Sequence, residues 1–123
     1  MAANKILNIE PVAVPNAAGN LLNCGITSLA GPSGYTQTQP YIVLKHIRLV
    51  NKTGAAATVT LYKGASAGSA AGTEFAVAGV SIPANSYVDW YGQARFDATD
   101  FLTGVASAAN TITFNAEGEI GLS

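Results

Sequence analysis

Hydrophobic residues in this chain recur at every second position in short runs, and no stretch shows a convincing helical period. The densest run is Tyr41–Tyr62, reading Y-I-V-L-K-H-I-R-L-V-N-K-T-G-A-A-A-T-V-T-L-Y. Its first half is β-branched and aliphatic, and its second half sets Val59 and Leu61 on one face against Thr58, Thr60 and Tyr62 on the other. Between the halves lies Asn51-Lys52-Thr53-Gly54, a polar cluster ending in glycine. This arrangement predicts that the two runs fold back on each other as a central antiparallel hairpin.

The rest of the chain supplies shorter strands. Lys5–Val14 sets Leu7 and Ile9 against Asn8 and Glu10 and contains Pro11, which has no N–H to donate, so it reads as an edge strand or one broken at the proline. Pro15–Pro40 is rich in Gly, Asn, Ser, Thr and Pro, with apolar islands at Leu21-Leu22, Ile26, Leu29 and Tyr35. Two readings stay open for it: an extended arm that touches a partner, or one short strand near Leu21–Leu29 flanked by loops. Lys63–Thr73 is a glycine-rich excursion, and Glu74–Pro83 returns as a strand whose phase slips at Ala78-Gly79, as at a bulge. In Ser86–Tyr91, burying Val88 and Trp90 turns Tyr87, Asp89 and Tyr91 outward. Gln93–Asp97 continues toward Phe96, Ala98–Gly104 reads as a brief helical turn or corner, and Thr111–Asn115 with Glu117–Leu122 reads as a closing pair of strands.

Seven or eight short strands punctuated by turns predict an all-β fold, an antiparallel β-sandwich of jelly-roll-like form. One domain is expected, with residues 1–40 giving an edge strand and an extended N-terminal arm or loop, and 41–123 the sandwich core. At 123 residues the chain is long enough to bury about two thirds of its surface.

Composition narrows the functions. Charged residues are 11% of the chain against about 25% in an ordinary soluble domain, and the net charge is −1. Such an exterior is weakly protected against association and reads as a surface to be covered by other subunits. Six basic residues spread along the chain give no clustered footprint for nucleic acid. The apolar runs are far shorter than the ~18 residues of a membrane span, and neither a secretory leader nor an internal disulfide is expected, since Cys24 is the single cysteine.

Candidate chemistry is sparse. His46 is the sole histidine, beside Lys45 and Arg48, and has no second ligand or base partner at a recognisable spacing, so it reads as a structural or interface residue. Cys24 reads as a small packed thiol. Among the aspartates only Asp97 and Asp100 lie close in sequence, short of a calcium loop. Gly64, Gly68 and Gly72 lack the Lys-Ser/Thr of a phosphate loop, and Asn51-Lys52-Thr53, though it matches the N-glycosylation pattern, reads as a turn. No catalytic residue, metal site or cofactor is expected.

Two segments carry a resemblance: H-I-R-L-V-N-K-T-G-A-A-A-T-V-T-L-Y at His46–Tyr62, and S-I-P-A-N-S-Y-V-D-W-Y-G-Q-A-R-F-D-A-T-D-F-L-T-G at Ser81–Gly104 followed by E-G-E-I-G-L at Glu117–Leu122. The pattern of "V-N-x-T", "I-P-A-N" and a closing "G-E" resembles small virion structural proteins of tailed bacteriophages. The resemblance implies a capsid decoration or cement protein, made in the host cytoplasm and placed on the capsid surface. Its implied partners are copies of itself, with a trimer favoured, and the major capsid protein. Other proteins of this size sit at the head–tail junction or in the tail.

Because aromatic and arginine side chains dominate interface energetics, Tyr35, Tyr41, Tyr87, Tyr91 and Arg95 are the candidate contact residues. A second reading is a carbohydrate- or receptor-binding module using Trp90, Tyr91, Asp89 and Gln93. The position of Trp90 separates the two, because a buried indole leaves a sugar no stacking platform.

Overall fold

The computed structural model describes residues 5–23, 40–97 and 99–122. Their eight strands are β1 (Lys5–Ala13), β2 (Gly19–Asn23), β3 (Pro40–Asn51), β4 (Ala57–Gly64), β5 (Val80–Ile82), β6 (Ser86–Phe96), β7 (Phe101–Ala106) and β8 (Ile112–Leu122). They form two antiparallel four-stranded sheets, in the orders β1-β8-β3-β6 and β2-β7-β4-β5. β1 pairs with β8, β2 with β7, β3 with β6 and β4 with β5, which is the pairing obtained by rolling up one long hairpin. The fold is therefore a jelly roll, a β-sandwich as the alternating pattern predicts. No helix occurs among the described residues.

The expected hairpin of Tyr41–Tyr62 is corrected by this topology. β3 and β4 lie in different sheets, each with neighbours on both sides, and the chain between them crosses the sandwich. The apolar face of β4 is the one the alternation predicts, with Val59 and Leu61 buried, and in β3 Ile47 and Leu49 are buried as well. Facing sheets bury two such faces against each other, whereas a side-by-side pair would leave both needing a further layer.

A fully buried side chain holds this crossover. Asn51 donates through Nδ2 to the carbonyls of Ala55 (2.8 Å) and Ile82 (2.9 Å), and its Oδ1 accepts from Thr53 N (3.0 Å) and Thr53 Oγ1 (2.7 Å). Both donors and both acceptor sites of the amide are thus used, as burial requires. The neighbouring crossover, from β5 to β6, is tied to the first by Asn85 N donating to Thr53 O (3.1 Å).

Three further expectations change. Thr111–Asn115 and Glu117–Leu122 are one continuous strand, β8, lying between β1 and β3. Ala98–Gly104 is a corner only at its start, where Asp100 N donates to Asp97 O (2.9 Å); from Phe101 the chain is β7, an inner strand. Its pattern hides it, because Leu102 and Gly104 are buried inward while Thr103 is buried on the other face. Glu74–Pro83 is strand only over Val80–Ile82. Ahead of it, Ala76 adopts φ 68°, and Leu61 receives Phe75 N (2.8 Å) and donates to Val77 O (3.1 Å), so the segment loops out at Ala76 while Phe75 and Val77 pack on the core.

The N-terminal strands behave as their sequence suggests. β1 is an edge strand with a register shift between Ile9 and Val12, around Pro11. β2 at Gly19–Asn23 supplies the edge of the second sheet. Of Pro15–Pro40, read as an extended arm or as a short strand near Leu21–Leu29 flanked by loops, residues 24–39, with Cys24, Ile26, Leu29 and Tyr35, lie outside the described residues.

In β3 the inward positions shift from Ile42 and Leu44 to Ile47 and Leu49, because Lys45 is an extra residue relative to β8: Leu44 faces Gly118 and His46 faces Glu117. The close approach at this bulge excludes a side chain at position 118. A Cβ there would collide with the Val43 carbonyl oxygen and stand 3.0 Å from Leu44 Cα. Gly118→Ala should therefore cost about 3 kcal/mol, at the upper end of overpacking penalties because backbone must move. Gly54→Ala, with nothing within 4 Å of the added carbon, should be close to neutral. Urea titration of both variants checks this; equal midpoints would refute the packing at the bulge.

Candidate functional site

The bulge leaves both Lys45 and His46 on the outer face of the β1-β8-β3-β6 sheet, followed by Arg48 two residues on. Each meets an acid from a neighbouring strand. Lys45 Nζ donates to Glu119 Oε2 (2.6 Å) on β8. Arg48 binds Asp89 of β6 through two parallel bonds, Nε to Oδ1 (2.7 Å) and an Nη to Oδ2 (3.0 Å). His46 stands between two acids, with Nε2 3.0 Å from Asp89 Oδ1 and Nδ1 3.2 Å from Glu117 Oε1.

Aromatic rings line the same face. The His46 imidazole stacks on Tyr91 with centroids 4.6 Å apart and an interplanar angle of 17°. The Arg48 guanidinium lies 4.6 Å from the ring centre of Tyr87, and that of Arg95 lies 4.3 Å from the ring centre of Tyr41. Arg95 Nε also donates to Asp97 Oδ1 (2.8 Å). Cations and rings are thus laced together across two strands, β3 and β6, and β8 adds the acids Glu117 and Glu119. By contrast, the outer face of the second sheet presents Thr58, Thr60 and Ser81, which carry no charge.

Asp89 is the electrostatic centre. Its side chain is only 15% exposed, and its carboxyl is held at about 2, below the ordinary 3.8. The bonds from Arg48 lower it most, desolvation works against them, and the bond to His46 adds to the lowering. Arg48 is raised above its ordinary value chiefly by the same pair of bonds.

Two adjoining open depressions lie on this face, of about 320 and 370 Å³. The first is polar, lined by Asn8, His46, Arg48, Asn115 and Glu117, and the second runs between Ile6 and Tyr91 over Lys45, His46 and Glu119. His46 and Glu117 form the ridge they share. Among the described residues no group of three or more His, Cys, Asp or Glu side chains is placed to hold a metal ion.

Of the residues singled out from sequence, Tyr41, Tyr87, Tyr91 and Arg95 all fall on this one face, and Tyr35 lies outside the described residues. Tyr91 is 70% and Tyr87 56% exposed. His46 belongs to the same cluster. Lys45, Arg48, Glu117, Glu119, Ile6, Asn8 and Asn115 were not singled out as site residues, and the only hint was the charged trio Lys45, His46 and Arg48 within an apolar run.

Trp90 points the other way. It is half-buried, packs edge-on against Phe75 with centroids 5.2 Å apart, and covers the bare Cα of Gly92. Asp89 is engaged with Arg48, so the groove of Trp90, Tyr91, Asp89 and Gln93 does not assemble on one surface. No protein-family model matches the chain, and no curated protein matches its sequence.

The depressed carboxyl of Asp89 sets an acid limit. A group whose folded value lies below its unfolded value adds stability that is present above pH 3.8 and is lost as pH falls through about 2. Stability should therefore drop over that window, and Asp89→Asn should flatten the drop while lowering stability near neutrality. Thermal melts from pH 2 to pH 7 read both slopes; parallel profiles for the two proteins would exclude Asp89 as the source.

Replacing Trp90 by alanine should cost about 2–3 kcal/mol, less than the ~3–5 of a fully enclosed ring. Unchanged stability would place the indole outside the core.

Proposed function

We propose that this chain is a structural, non-enzymatic virion protein that associates with copies of itself, a trimer favoured, and fastens the outside of a tailed-phage capsid by contacting its major capsid protein. The observation that carries the reading is the outer face of the β1-β8-β3-β6 sheet. There Tyr41, Tyr87, Tyr91, Arg48, Arg95 and His46 are held in fixed orientations by one another and by acids of the same face. Side chains ordered beforehand lose little freedom on docking, and tyrosine and arginine are the residues that anchor interfaces.

Further support comes from exposure and from fold. The large exposed hydrophobics among the described residues, Ile6, Val12, Tyr87 and Tyr91, belong to β1 and β6, the two outer strands of this sheet. Jelly rolls recur in viral shells, though also in lectins, so the fold raises the expectation by analogy alone. The sugar-binding reading loses its platform because Trp90 faces inward. A standard contact buries about 800 Å² on each partner, and a charge-poor exterior accommodates several.

Native mass measurement of the purified chain should give a multiple of 12.5 kDa, and the chain should co-sediment with empty tailed-phage shells assembled from their major capsid protein. Tyr87→Ala with Tyr91→Ala should weaken assembly by at least about 30-fold, as loss of an interface anchor does, without lowering the melting temperature appreciably. A monodisperse monomer that ignores such shells would overturn the proposal.

A further inference from the structure

We infer that His46 is a proton-operated latch which couples assembly through the outer face of the β1-β8-β3-β6 sheet to pH; this rests on the reading of that face as a contact surface. Both ring nitrogens face carboxylate oxygens, Nε2 toward Asp89 and Nδ1 toward Glu117. An ionised carboxylate only accepts, and a neutral imidazole carries a single N–H. Both contacts are hydrogen bonds only when the ring is doubly protonated.

The two contacts differ in what holds them. Asp89 is 15% exposed and keeps its two bonds from Arg48, whereas Glu117 is 62% exposed and has His46 as its side-chain partner. When the ring loses a proton, the remaining N–H stays on Nε2 with Asp89. The Nδ1 lone pair then confronts Glu117 Oε1, acceptor against acceptor, and Glu117 turns to water.

Among the described side chains, every charge facing the ring fits this scheme. From β6 come Asp89 and Tyr91, from β8 Glu117 and Glu119, and on β3 itself Lys45 and Arg48. Arg48 is committed to Asp89 and Lys45 to Glu119, so neither is placed to replace the imidazolium opposite Glu117. β1 contributes the neutral Asn8 and Ile6 to the adjoining depressions. Released, Glu117 leaves an uncompensated carboxylate on the ridge between those depressions, at a position an incoming subunit would have to desolvate.

Self-association should accordingly weaken on the order of tenfold between about pH 6 and about pH 8, the span in which an imidazole exchanges its charge. The test combines sedimentation equilibrium at both pH values with long-range 1H–15N spectra of the His46 ring, for the wild type and Glu117→Gln. In the assembled wild type at the lower pH both ring nitrogens should carry protons, and at the higher pH Nε2 alone. In Glu117→Gln the amide can donate to the unprotonated Nδ1, so both contacts survive proton loss and association should become equal at the two pH values. A ring singly protonated throughout, or a Glu117→Gln variant as pH-dependent as the wild type, would overturn the latch. A wild type assembled equally at both pH values overturns the latch alone, whereas a monomer at both sinks the assembly reading beneath it.

Discussion

The outer face of this sandwich depends on one extra residue in β3. Without the bulge at Lys45, strict alternation from Leu44 would bury His46 and expose Ile47. With it, Lys45 and His46 share the outward side and the inward row resumes at Ile47 and Leu49. The core and the polar cluster are therefore two results of the same backbone irregularity, and Gly118 on β8 is the residue whose missing side chain lets the strands close over it. Bulges commonly re-aim a side chain in this way.

The ionic contacts on that face matter more for geometry than for stability. Lys45–Glu119 and Arg95–Asp97 are largely exposed, and pairs of that kind contribute little to folding. What they do is fix which way long side chains point. Arg48 is held over the ring of Tyr87 because its guanidinium is clamped on Asp89, and the ring of Tyr91 is fixed by its stack on His46. With His46 protonated, Lys45, His46, Arg48 and Arg95 match Asp89, Asp97, Glu117 and Glu119 within the face, so a neighbour need bring no counter-charge of its own. A chain of low charge content that concentrates its ions in one self-balanced cluster is suited to lying against a neutral surface.

Alternation with period two told which face of β4 and of β6 is buried, with Val59 and Leu61 inward in β4 and Trp90 opposed to Tyr87 and Tyr91 in β6, and Pro11 marked an edge strand. It says nothing about lateral neighbours. β3 and β4 carry the same signal whether they pair in one sheet or face each other across two, and only the crossover chemistry of Asn51 and Asn85 decides it. β7 was missed because a buried threonine and an inward glycine flatten its pattern. The charged trio on β3 was visible, but its partners Asp89, Glu117 and Glu119 lie 41 to 74 residues away in sequence, and no local rule reaches that far.

Asn51 carries one more implication. The tripeptide Asn51-Lys52-Thr53 matches the acceptor pattern for N-linked sugar, and in the native fold that amide nitrogen is enclosed and bonded to two carbonyls. A sugar chain and the closed crossover exclude each other. In a eukaryotic secretory pathway the clasp that joins the sheets would become a point of covalent sabotage, so material for structural work belongs in a host that leaves asparagine bare.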